Sequence, residues 1–183
     1  MRGQTTLDFA IAMGVFLLTV AFVFTFIPSV TAPFIDGGQE QPAAADRIGS
    51  HLAEGALGDP SEPYVVREEC ASVFFNRTTI DDDIPDGCGF VGNTTHERVG
   101  LAERSNLHVE IVRRNETGVE HAVCLDDDGM VSHDGHSSCD LEYSVGDDSA
   151  PANSVAVATR VVVFEACEFE GNGCDAVLRV EVW

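Results

Sequence analysis

Residues 9–27 read FAIAMGVFLLTVAFVFTFI. The nineteen positions carry no charge, and Thr19 and Thr25 are the polar side chains among them. As a helix rising 1.5 Å per residue the stretch spans roughly 28 Å, close to the ~30 Å hydrocarbon core of a bilayer. Apolar groups occur all round such a helix, which suits lipid or a fully buried bundle. Each threonine hydroxyl can bond to a carbonyl one turn back, and Pro28 and Pro33 are expected to weaken or end the helix. Arg2 is the flanking base, which predicts a cytoplasmic amino terminus and an external remainder.

The charge lies almost wholly outside this segment. The 183 residues carry 31 acidic groups and 10 basic ones, a formal net charge of −21, and every base is an arginine. Residues 1–34 hold Arg2 and Asp8 and sum to zero, so the excess belongs to residues 35–183. So acidic a surface argues against a nucleic-acid partner, because phosphate contacts need clustered bases. Hydrophobic residues at 44% are too many for a disordered acidic polymer. Adaptation to molar salt accounts for the density: at 1 M the Debye length is only about 3 Å, and hydrated carboxylates keep the chain soluble. The absence of lysine, with its long apolar stem, fits that reading. This composition resembles that of extremely halophilic archaea. Cation binding at Asp81-Asp82-Asp83 or Asp126-Asp127-Asp128 is the competing reading. The second run lacks the downstream glutamate and spacing of an EF-hand and reads as a solvated acidic turn, with weak Ca²⁺ or Mg²⁺ uptake the alternative.

Ahead of the apolar run stand Arg2-Gly3 and then Gln4-Thr5-Thr6-Leu7-Asp8. This pattern resembles a type IV prepilin, in particular the archaeal class III signal, Q-x-S-x-E followed by an apolar run. Gln4 takes the glutamine place, Thr6 stands for serine, Asp8 for glutamate, and Ala12 replaces the usual leucine. The resemblance covers about thirty residues. It implies that a membrane-embedded prepilin peptidase cuts between Gly3 and Gln4 and leaves the helix on the mature chain. Asp8 then becomes the fifth residue, where pilins carry an acid. A carboxylate at the edge of a lipid-facing helix is costly unless paired. Cleavage creates an α-ammonium on Gln4, about 6 Å away along the axis, and Asp8 of one subunit can neutralise the amine of a neighbour. Two simpler readings compete. Asp8 also suits the first turn of an ordinary anchor helix. A cleaved secretory signal would have a shorter apolar region than this, and its candidate site, Val30-Thr31-Ala32, is followed unfavourably by Pro33.

Residues 36–46 (DGGQEQPAAAD) read as a turn-rich link. A helix is expected over 46–57, with Ile48, Leu52 and Ala56 on one face, stopped by Gly58 and Pro60; it either continues the anchor or lies back on a sheet. Beyond Pro63 the runs turn β-rich. The alternation of Leu107, Val109 and Ile111 predicts a strand, with a turn over 115–118 and a return over 119–125. Residues 154–164 and 176–183 form a second pair, and 64–67, 71–75 and 141–145 are smaller candidates. Residues 76–99 read as a long polar loop. The fold class expected is α+β: a long N-terminal hydrophobic transmembrane helix followed by an external antiparallel β-sheet or sandwich domain. The divisions are a leader at 1–3, a transmembrane and assembly helix at 4–34, a linker and short helix at 35–62, and an extracellular β-rich domain at 63–183.

Six cysteines lie beyond the anchor: Cys70, Cys88, Cys124, Cys139, Cys167 and Cys174. An even count in an outward-facing domain favours disulfides. Of the 15 pairings that six cysteines allow, sequence-adjacent pairing is the first choice. Zinc is the alternative, since His121-x-x-Cys124 and His133-x-x-His136-x-x-Cys139 have usable spacings; without a Cys-x-x-Cys pair, disulfides are preferred and no metal is assigned. Sequons at Asn76, Asn93 and Asn115 are glycosylation candidates in expected loops. No nucleophile elbow, P-loop, dinucleotide fingerprint or H-E-x-x-H occurs, so neither an enzyme nor a cofactor is expected. His108 and His121 read either as a pair facing each other across a hairpin or, equally well, as exposed strand residues. The expected function is a membrane-anchored, pilin-like cell-surface subunit whose partners are membrane lipid, the peptidase and other pilin-like subunits. The alternative is an anchored extracellular binding module that does not polymerise.

Overall fold

The structure, a computed structural model, describes residues 2–35, 40–114, 118–126, 131–132, 139–147, 155–167 and 173–183. The chain divides into two units, Met1–Gln39 and Glu40–Trp183.

The first unit holds one helix, α1 (Arg2–Ile35). Thr19 Oγ1 donates to the Val15 carbonyl and Thr25 Oγ1 to the Ala21 carbonyl, both at 2.8 Å, so the two hydroxyls within the apolar run are satisfied by their own helix. The window Asp8–Thr25 is long and apolar enough to cross a membrane, and none of it is buried by the protein itself. The expected stop at Pro28 and Pro33 is not seen, because the helix runs on to Ile35. Each proline removes only its own N–H donor, one rung of the ladder.

In the second unit, α2 (Glu40–His51) runs into a π-helical turn at Leu52–Ala56. The link expected over 36–46 is therefore helical from Glu40 on. Ala45, Ile48, Leu52, Ala53 and Ala56 form its buried stripe, which packs on the inner face of strands β8 (Ala156–Phe164) and β9 (Asp175–Val182). Strand β1 (Val65–Val66) follows, then α3 (Glu68–Phe75). A strand was expected over 71–75. Cys70, Ala71, Phe74 and Phe75 are instead the buried residues of a helix whose first turn carries Glu68 and Glu69; over so short an apolar run, two aromatics mimic a strand.

The main sheet has the order β1-β8-β9-β2-β3, where β2 is Leu107–Arg114 and β3 is Glu120–Ala122, and β7 (Ser144–Gly146) also pairs β2. It is mixed rather than wholly antiparallel: β1 runs parallel to β8, with Val65 opposite Val163. A two-residue strand carries no pattern from which direction can be read. The smaller antiparallel sheet places β4 (Cys124–Asp126) between β5 (Val131–Ser132) and β6 (Cys139–Glu142).

The runs expected as single strands at 119–125 and 141–145 are each split, at Val123 and at Tyr143. There the main-chain bonds close a ring. Val123 N–H donates to the Ile111 carbonyl (2.7 Å), Ile111 N–H to the Tyr143 carbonyl (2.9 Å) and Tyr143 N–H to the Val123 carbonyl (2.8 Å). Beyond the fork, β4 and β6 pair with each other; before it, β3 and β7 both pair β2. Gly146 allows β7 to lie this close: its φ is +126°, and a Cβ there would stand 2.1 Å from the Leu107 carbonyl oxygen.

The core joins the inner sheet face (Leu107, Val109, Ile111, Leu178, Val180, Val182) to an aromatic cluster under α3. Phe74 meets Phe75 and Phe90 edge-on at 5.1 and 5.3 Å, and Tyr143 stacks on Phe75 at 5.1 Å. The Tyr143 hydroxyl is buried without a hydrogen-bond partner, and burial, then the Glu68 charge, push its pKa well above the ordinary value of 10.0. Tyr143→Phe should therefore raise stability by about 1 kcal/mol in a urea titration. The gap should widen as pH climbs past the ordinary tyrosine value, where the unfolded wild type ionises and the folded one does not. Gly146→Ala should lower stability by about 2–3 kcal/mol in the same titration.

Candidate functional site

Two regions bear on function, one in each unit. In the first, Gly3 and Gln4 lie on the opening turns of α1, one turn before Asp8, whose side chain is exposed on the helix surface. Between this head and Thr25, Phe9, Phe16, Leu18, Phe22 and Phe24 project outward on every side and are largely exposed. Such a helix offers a continuous apolar cylinder, the pattern of a segment surrounded by lipid or by other protein.

In the second unit all six cysteines are paired: Cys70–Cys88, Cys124–Cys139 and Cys167–Cys174. This is the sequence-adjacent pattern. The first pair ties α3 to the loop that follows it, the second joins β4 to β6, and the third closes the connection between β8 and β9. The pairing also uses both sulfurs of the zinc alternative; His133 and His136 lie outside the described residues.

Of the sequons, Asn76 is half-buried at the end of α3, and its Oδ1 accepts from both Thr78 N–H (2.9 Å) and Thr78 Oγ1 (2.7 Å). Asn93 is exposed, and its Oδ1 accepts from Asp81 N–H at 2.8 Å. Asn115 lies outside the described residues. Asp81 serves structure too, since its carboxylate accepts from Gly92 N–H at 2.6 Å. Of the second acidic run, Asp127 and Asp128 lie outside the described residues.

The facing of His108 and His121 across a hairpin is not observed. His108 stands opposite Gly146, and His121 opposite Arg113. His108 Nε2 lies 3.3 Å from Ser144 Oγ and 4.0 Å from Glu110 Oε2. Both neighbours meet the same ring nitrogen, whereas a Ser-His-acid relay uses the two nitrogens separately. Nearby, Arg179 bonds Glu110 (2.7 Å) and Glu120, and Arg114 bonds Glu120 at 2.8 Å. Hydrogen bonds from Arg179 and then Arg114 hold the Glu120 carboxyl below its usual range. This chain of charges ties β9, β2 and β3 together across the outer sheet face.

The residue that organises the surface is one that the sequence reading did not single out. Arg98 is 3% exposed. Its Nε donates to the Gly92 carbonyl (3.1 Å), Nη1 to the carbonyls of Val73 (3.0 Å), Phe74 (2.9 Å) and Asn76 (3.5 Å), and Nη2 to that of Thr79 (2.6 Å). The guanidinium thus closes the end of α3, where helix carbonyls lack partners, and pins the segment 76–92. It also lies 5.8 Å from the Phe90 ring centre. Burial lowers its pKa, and the charges of Asp81 and Glu97 oppose that shift. A short helix, α4 (Thr95–Val99), carries it. Thr94 Oγ1 accepts from Glu97 N–H (3.2 Å), and Glu97 Oε2 accepts from Thr94 N–H (3.2 Å). That capping box, Thr94-Thr95-His96-Glu97, was the available signal.

A hollow of about 270 Å³ beside this network is lined by Arg77, His96 and Asp147. His96 Nε2 is 2.8 Å from the Ser105 carbonyl, Asp147 accepts from Leu107 N–H at 3.0 Å and Arg77 donates to the Gly146 carbonyl at 3.2 Å, so all three already hold main chain.

Comparison with known proteins matches residues 1–183 to one family model, a family of unknown function. The chain belongs to DUF7287. No curated protein and no solved structure matches it. The DUF7287 match takes in both units, apolar helix and disulfide-bonded domain alike.

In this DUF7287 domain, Arg98→Met should lower stability by about 3 kcal/mol in urea titration, because several buried carbonyls lose a charged donor together. Arg98→Lys should recover less than half of that loss, since a single ammonium cannot span the same carbonyls.

Proposed function

We propose that this chain is a membrane-anchored, pilin-like cell-surface subunit that assembles through α1, with its disulfide-bonded domain outside the cell. The observation that carries the reading is the uncovered helix: an apolar window at Asp8–Thr25 with none of its surface buried by the protein itself, headed by one acid. A helix of that kind needs lipid or other helices around it. The short leader Met1-Arg2-Gly3, the Gln4 that follows it and Asp8 supply the features of a class III prepilin signal. Three disulfides support an oxidising, external compartment. The net charge of −21 supports a saline one.

Each element has a defined role on this reading. The peptidase cuts between Gly3 and Gln4, lipid and neighbouring subunits cover the apolar cylinder, and Asp8 pairs with the new ammonium of an adjacent Gln4. Glycans on Asn76, Asn93 or Asn115 and the acid-rich surface keep the outer domain hydrated.

Intact mass and amino-terminal sequencing of protein from its native membrane test the reading. A start at Gln4 is expected. A start near Pro33 would mean ordinary secretion, and retention of Arg2 and Gly3 would mean a plain anchor. Asp8→Ala should leave membrane insertion intact and reduce recovery of the chain in filaments; an unchanged filament yield would refute the pairing, and wild-type membranes without filaments would favour the non-polymerising binding module.

A further inference from the structure

Strand β8 has an open edge. It pairs β9 along its length, and on the other side it meets β1 only at Val163 and Phe164. Phe164 N–H donates to the Cys174 carbonyl across the β9 side, and Val163 N–H to the Tyr64 carbonyl across the β1 side. By the alternation of an antiparallel ladder, the main-chain groups of Val157, Thr159 and Val161 point to the open side. Among the described residues no strand pairs with them there; the Thr159 carbonyl takes one bond, from the Arg160 side chain (2.9 Å), and keeps a second lone pair. The outer side chains of the same strand are apolar: Val157, Val161 and Val163 are 54%, 65% and 43% exposed.

Natural sheets guard such an edge with charge, proline or a covering segment. Among the described residues no proline, acid or covering strand lies along this edge, in a chain that has acids to spare, and Arg160 is the charge that reaches it. Residues 149–164 form the longest run without an acid after residue 36, in a sequence carrying 31 of them. Arg160, the single charge of the strand, divides its guanidinium: Nη1 donates to the Thr159 carbonyl, and Nη2 to Asp46 (2.5 Å) and Ser50 (3.1 Å) on α2.

We infer that the β8 edge joins a second copy of this chain, edge to edge and antiparallel about a two-fold axis. A copy fits for two reasons. A row of outward N–H and C=O groups is complementary to itself when reversed. Two chains of net charge −21 repel over most of their surfaces, whereas β8 itself carries no carboxylate and the one beside it, Asp46, is paired with Arg160. The free stretch runs from Ala156 to Val162, so its midpoint sets the register. Thr159 lies opposite Thr159 of the second copy, and Val157 opposite its Val161. The result is one sheet continued through both domains, a contact separate from any made by α1.

Cysteine crosslinking and solution mass test this on the full-length chain in detergent at molar salt. Thr159→Cys should form a disulfide-linked dimer under mild oxidation, with peptide mapping showing the 159–159 bond and the three native disulfides intact. Glu103→Cys, on the exposed loop before β2, should not. By light scattering corrected for detergent, wild type should weigh twice the 19.6 kDa chain. Val161→Lys should halve that mass, and so should transfer of the wild type to low salt, where repulsion is unscreened. A monomeric wild type at molar salt, a Thr159→Cys chain that crosslinks no better than Glu103→Cys, or a dimer that survives Val161→Lys would each overturn the inference. An α1-mediated association survives Val161→Lys and fails with Asp8→Ala, so the two contacts are told apart.

Discussion

One guanidinium decides how the disulfide-bonded domain closes over its sheet. Arg98 is buried against main-chain carbonyls from two directions, the end of α3 and the segment after it. A charge in that position is tolerable only because every donor finds an oxygen and two carboxylates, Asp81 and Glu97, lie near enough to oppose its desolvation. The arrangement is mutual. Without the cation, α3 ends on unpaired carbonyls; without α3, the cation loses two of its five carbonyl acceptors. Cys70–Cys88 crosses the same region covalently, so a segment with little regular structure is fastened by a disulfide at one end and by charge at the other.

The aromatic cluster follows from that closure. Phe74 and Phe75 are held down by the carbonyls that Arg98 binds, and they meet Phe90 and Tyr143 only while the segment 76–92 stays in place. Tyr143 is also a corner of the main-chain ring where the two sheets part. Its unpartnered hydroxyl shows which requirement dominates: the ring plane is needed for stacking on Phe75, and the oxygen is carried along at a cost.

What was legible in the sequence were features that repeat locally. The apolar helix, the buried stripe of α2 and the pair β8–β9 are written as periodicities, and the helix and strand patterns of Ile48–Leu52 and Leu107–Ile111 survive into the fold. The disulfides were legible because neighbours in sequence close small loops. Three kinds of feature were not. Strand direction at β1 needs partners that two residues cannot specify. The splitting of strands at Val123 and Tyr143 depends on a bond to Ile111, far away in sequence. Arg98 reads like any surface arginine until the carbonyls around it are assembled, although the capping box that places it could have been found. The supposed facing of His108 and His121 required a register that the fork denies.

Charge distribution links the two units more directly than any shared motif. The apolar window of α1 is exposed, and so are Val157, Val161 and Val163 on the outer face of β8, while the rest of the chain holds nearly all the carboxylates. In dilute salt such a molecule repels its copies beyond about 10 Å; at molar salt that reach falls to about 3 Å, within the first hydration layer. Salts of the excluded kind also strengthen apolar burial. On the reading proposed here, a surface rich in carboxylates becomes permissive where they are left out, and more so as salt rises. On this view the acids mark where association is refused as well as keeping the domain soluble. The placement of the gaps, one on an exposed apolar helix and one on a sheet edge unpaired among the described residues, then sets which contacts remain available.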